Sequence, residues 1–113
     1  MPEVSRIARK RESFKAALGA GVKMCFGGDV GVYAHGDNVR ELELMVDFGM
    51  TPAAALVAAT SGNASFFRQG DRIGRVKAGL FADLIAVQGD PTASLKPLRA
   101  VKFVMKAGRI YKE

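Results

Sequence analysis

Val22-Lys23-Met24-Cys25-Phe26 constrains this chain more than any other stretch: a short, largely apolar run that begins after Gly19-Ala20-Gly21 and stops at Gly27-Gly28. A run of that length between glycines reads as a buried strand with cover on both faces. A strand cannot stand alone, because each of its N–H and C=O groups needs a partner. The flanking patterns are helical, so no strand close in sequence can supply those partners. The first half of the chain therefore reads as one βα unit taken from a larger sheet or barrel.

The neighbouring elements follow from spacing and caps. Val4, Ile7, Ala8, Phe14, Ala17 and Leu18 recur at helical spacing with basic residues between them, which predicts an amphipathic helix ending at the glycines. A segment from Val30 to Asn38 reads as flexible. A second helix is expected over about 39–48, with Leu42, Met45, Val46 and Phe48 available for a core and Gly49 in a left-handed terminating conformation. Thr51-Pro52 restarts the chain as N-cap and first helical residue of an alanine-rich helix to about Thr60. Asn63 is placed to cap one further short helix. After Gly70 the texture turns to β: a strand over 82–87, then a hairpin pairing 100–106 with 109–112 across Ala107-Gly108.

Composition narrows the function classes. The 113 residues carry 17 Lys and Arg against 11 Asp and Glu, a net charge of +6. The basic residues form two clusters, Arg6 to Lys15 and Lys96 to Lys112, without aromatics interleaved for base stacking. They read as solvated faces and nucleic acid is not an expected partner. Cys25 has no second cysteine to pair with, and its apolar run predicts a buried thiol. No apolar stretch reaches membrane-spanning length and no secretory leader is recognisable, so a cytoplasmic location is expected.

Few residues can carry chemistry. Asp29 directly follows the predicted strand behind two glycines, at the strand end where α/β folds place their sites. From position alone it is either a metal ligand or general base, or a loop aspartate bonding its own turn. His35 is the sole histidine and reads as a ligand, a substrate contact or a surface residue. A catalytic zinc needs about three protein ligands, more than Asp29 and His35 supply. Glu41 and Glu43 are two residues apart on a helix and face different ways. Asp83 is expected to make a structural hydrogen bond at a turn, and Asp90-Pro91 to form one. Gly27-Gly28-Asp29-Val30-Gly31 lacks the lysine of a phosphate loop.

Several of these stretches together resemble the amidohydrolase superfamily. Val22 to Gly31 is similar to its last barrel strand and the Gly-Thr/Ser-Asp motif, here Gly27-Gly28-Asp29 without the hydroxyl residue. His35-Gly36-Asp37-Asn38, Glu41 to Val46, Gly49 to Leu56 and Ala58-Ala59-Thr60 resemble the imidazolonepropionase-like and Xaa-Pro dipeptidase-like branch. Gly74 to Ile85, with Ala78 where proline is frequent, is similar to the return into a small β-sandwich, and Val101 to Tyr111 to its close.

The resemblance implies an α/β fold: the last βα unit of a TIM-type metal-dependent hydrolase barrel over 1–70, and part of a C-terminal β-sandwich over 71–113. It implies hydrolysis of C–N bonds in dipeptides, cyclic amides or related small molecules with one or two divalent metals, commonly zinc. Asp29 would be metal ligand and proton acceptor, and His35 and Asn38 would lie near the substrate mouth. The family's paired first-strand histidines, its central lysine or glutamate and its mid-barrel histidines have no counterpart in the sequence. A full barrel takes about 250 residues, so this chain is expected to act with the remainder of a barrel, from the same or another chain. A non-catalytic module that self-associates into a homo-oligomer is the alternative expectation.

Overall fold

The computed structural model describes residues 2–29, 31 and 34–113, with side chains from Ser5 onward. Val30, at the start of the segment read as flexible, and the Val4 side chain lie outside them. The chain is α/β; the described residues form four α-helices followed by a small antiparallel sheet. α1 is Pro2–Gly19, α2 Val39–Asp47, α3 Pro52–Ala59 and α4 Ser61–Phe66. β1 (Leu84–Ala86), a 3-10 helix (Lys96–Arg99), β2 (Phe103–Lys106) and β3 (Arg109–Lys112) complete it. No helix among the described residues is long and apolar enough to cross a membrane.

Local chemistry accounts for most boundaries. Thr51 Oγ1 accepts the Ala54 N–H at 3.1 Å, with Pro52 opening α3 as expected. Gly49 ends the α2 region at a φ of 124°. α4 starts two residues before Asn63, whose side chain caps nothing and turns to another task described below. The sheet has the order β1-β2-β3. Leu84 stands opposite Met105 and Lys106 opposite Arg109. Ala107 and Gly108 both have positive φ, 50° and 79°, the signature of a two-residue hairpin turn. Asp83 accepts the Ala107 N–H at 2.8 Å and fastens that turn to β1, the structural bond expected of it.

One core joins the two halves. Leu42 and Met45 of α2, Ala55 and Ala58 of α3, and Leu95 and Leu98 around the 3-10 helix form a single buried cluster. Phe14, Met24 and Phe26 pack against its margin. Beyond that cluster the molecule is open. It exposes 8256 Å², about 2300 Å² more than a compact monomer of its mass. Phe66 and Phe67 remain 67% and 65% exposed, and Val22 and Val57 both 54%. The radius of gyration of 15.5 Å exceeds the roughly 13 Å of a compact domain this long.

Gly74 is the tightest point between the helical part and the sheet. Its φ is +96°, and a Cβ there would lie 2.6 Å from Ala64 Cβ and 3.1 Å from the Thr60 carbonyl oxygen. Ala64 is 3% exposed and has no room to yield. Gly74→Ala is therefore expected to cost on the order of 2 kcal/mol, seen as a lower urea midpoint. An unchanged midpoint would mean that α4 and the segment after it are not packed as described.

Candidate functional site

The run 22–28 forms no helix and joins no ladder among the described residues. The strand expected there has no strand neighbours among the described residues. Its burial alternates: Met24, Phe26 and Gly28 are half-buried, while Lys23, Cys25, Gly27 and Asp29 are exposed. One face thus lies on the helical core and the other on nothing, so Cys25, expected to be buried, is exposed. Burial of the second face needs a layer that these residues do not provide.

A single side chain substitutes for the missing neighbour. Asn63 Oδ1 accepts the Phe26 N–H at 3.0 Å, and Asn63 Nδ2 donates to the Phe26 carbonyl at 2.8 Å. A carboxamide carries one acceptor and donors in the arrangement of a peptide group, so it pairs with Phe26 as a strand residue would. This fixes the height and rotation of the run on α4, three residues before Asp29. Alongside lies an apolar cleft of about 720 Å³ lined by Val22, Met24, Cys25, Val57, Ala58 and Phe66, among others.

Asp29 ends the run with φ at +51°, the left-handed region that Asp and Asn tolerate better than most residues. It is exposed, as are His35 and Asn38. His35 lies on the turn before α2 and Asn38 at its N-cap position, where its side chain caps nothing. No hydrogen bond joins Asp29, His35 and Asn38 among the described residues, and no group of three His, Cys, Asp or Glu side chains there could hold a metal. By themselves these residues do not fit a metal centre: they offer one carboxylate and one imidazole on separate loops.

Sequence reasoning missed the charged junction beside the His35 loop. Arg99 Nε and Nη2 donate to the two oxygens of Glu43 at 2.8 and 2.7 Å, and Nη1 to Asp37 Oδ1 at 2.5 Å. Glu43 is therefore an ion-pair partner, in keeping with the rejection of a Glu41–Glu43 acid–base pair. The partners lie 56 and 62 residues apart, which no local pattern could reveal. Only the i-to-i+3 contacts of α2 are readable from spacing.

The Arg99 hydrogen bonds hold the Glu43 carboxyl below its usual range, against partial desolvation and the nearby Asp37, with Arg40 adding to the pull. Arg99 is in turn raised further above its already high value by Glu43 and then Asp37. A carboxylate whose folded pKa is depressed stabilises the fold above its unfolded value, near 4.3. That contribution disappears as pH falls through the lower folded value. Melting temperatures recorded from pH 6 down to pH 3 should converge for the native chain and Glu43→Gln at the acid end. Curves that stay parallel throughout would rule out the pairing.

Comparison with known proteins gives this geometry its relatives. Residues 2–111 match the model of the amidohydrolase family. An ochratoxinase of Aspergillus niger is 32% identical over 106 residues, covering 89% of this chain and 22% of its own length. Among solved structures, a Xaa-Pro dipeptidase with methionine bound in its active site superimposes with a TM-score of 0.86 at 39% identity, covering 91% of this chain and 25% of that one. A prolidase complexed with N-methylphosphonate-L-proline gives 0.79 at 26% identity, covering 91% and 26%. The chain thus spans about a quarter or less of the length of these relatives. It belongs to the amidohydrolase family.

Proposed function

We propose that this chain is the C-terminal portion of a metal-dependent amidohydrolase that hydrolyses C–N bonds of dipeptides, cyclic amides or related small molecules. Residues 1–70 would close a TIM-type barrel and residues 71–113 would form part of its β-sandwich. The observation that carries the reading is the run 22–28, apolar, outside any ladder among the described residues and followed by Asp29 behind two glycines. A ladder on each side would satisfy its backbone and cover its exposed face. Family membership and likeness to a Xaa-Pro dipeptidase support the same conclusion.

Within that reading Asp29 is metal ligand and proton acceptor. Its carboxylate takes a proton from the attacking water, the water oxygen bonds to the carbonyl carbon, the C–N bond breaks, and the proton passes to the leaving nitrogen. The divalent metal, one or two zinc ions in this reading, would be held mainly by ligands that this chain lacks. His35 and Asn38 face the substrate. The partners are a small-molecule substrate and the remainder of the barrel, in the cytoplasm.

A second reading is favoured by the exposed apolar surface: self-association of the chain as a non-catalytic homo-oligomer, with a second copy covering Val22, Val57 and Phe66. The catalytic reading is tested in a complete enzyme carrying this segment. Asp29→Asn keeps the shape and removes the base, so kcat for dipeptide or cyclic-amide hydrolysis should fall about a thousandfold with little change in melting temperature. Full activity in that variant would refute the assignment.

A further inference from the structure

Arg99 joins three parts of the chain that differ in how firmly they are held. Its own backbone is anchored on one side, because Leu95 and Leu98, before and within the 3-10 helix, are 5% and 9% exposed in the core. Glu43 is anchored on the other side by α2, whose Leu42 and Met45 are buried in the same cluster. The paired bonds from Nε and Nη2 lock the guanidinium plane between these two fixed points. Nη1 is then aimed at a single remaining target, Asp37, which belongs to neither.

Asp37 lies between His35 and Asn38, on the turn that leads into α2. Apart from Arg99, the bonds described for that turn are local: the Asp37 N–H donates to the Ala34 carbonyl at 3.2 Å, and the Arg40 N–H to the Asp37 carbonyl at 3.0 Å. His35 and Gly36 are exposed, and Gly36 has a φ of +90°. Nothing else described ties the carboxylate of Asp37 to the core.

We propose that Arg99 is a positioning residue: it holds the 34–38 turn, and with it His35 and Asn38, in one pose against α2, so that the C-terminal unit sets the geometry of the substrate-facing loop. This rests on the reading of His35 and Asn38 as substrate-facing, given above. It assigns a role in the site to a residue 64 positions after His35, on the far side of the helical segment. A lysine could not replace it, since an ammonium cannot bond both Glu43 oxygens in a plane while reaching Asp37.

The sole histidine makes the test direct, because its ring gives one set of imidazole NMR signals without assignment. In the 113-residue chain, Asp37→Asn removes only the loop arm and leaves the Arg99–Glu43 pair, so the melting temperature should hold. The His35 ring signals should move towards those of free histidine, and exchange of the residue 37 amide, corrected for its intrinsic rate, should speed up about threefold to fivefold. Arg99→Lys should shift the ring signals and speed the exchange in the same way, with a small fall in melting temperature from the weakened Glu43 pair, and Asp37→Glu should restore most of the native signature. Unchanged ring signals and exchange in both Asp37→Asn and Arg99→Lys would overturn the proposal, as would changes in Asp37→Asn that appear only with a fall in its melting temperature. No substrate enters this experiment, so its failure leaves the role of Asp29 standing, and loss of the Asp29 assignment leaves the clamp standing.

Discussion

The carboxamide of Asn63 occupies the place of a neighbouring strand. A run of apolar residues outside any ladder must satisfy its backbone, and here one side chain bonds both the N–H and the C=O of a single residue, Phe26. The approach of the chain to Asp29 depends on that pairing. It seats Met24 and Phe26 on the core, leaves Cys25 and Asp29 on the open face, and delivers the chain to the left-handed turn at Asp29. Each such hydrogen bond is worth only about 1 kcal/mol net, so the run is located more by register than by energy.

The same shortage of partners explains the open surface. Six side chains make the buried core cluster, drawn from α2, α3 and the region of the 3-10 helix. They suffice to hold the helical part to the C-terminal unit but not to cover Val22, Val57, Phe66 or Phe67. The surplus of about 2300 Å² is of the size that permanent interfaces bury. An additional layer, whether barrel strands or a second copy, would resolve both the exposed face and the unpaired backbone at once.

Much of this was legible in the sequence. Thr51-Pro52 gave the start of α3 through cap chemistry, Ala107-Gly108 the hairpin, and helical periodicity α1 and α2, because each depends on residues within a few positions. The orphan nature of Val22 to Phe26 was also legible, since an apolar run between glycines implies partners that the surrounding helical patterns cannot be. Asn63 misled for a physical reason: a carboxamide near a helix start looks like a cap, and only the approach of a residue 37 positions earlier gives it a better partner. Arg99 was hidden likewise, as one base in a basic cluster whose acidic partners lie on distant elements. Asp29, His35 and Asn38 were singled out by motif, and among the described residues they do not form one cluster.

Amide hydrogen exchange across residues 22–28 of the isolated chain tests the central claim most directly. If the run is held by Asn63 alone, the Phe26 amide is protected while its neighbours at 23, 25 and 27 exchange near their intrinsic rates, at all protein concentrations. Protection spread evenly over 22–28 would contradict that account, and protection that grows with concentration would mean that a second copy supplies the missing strand.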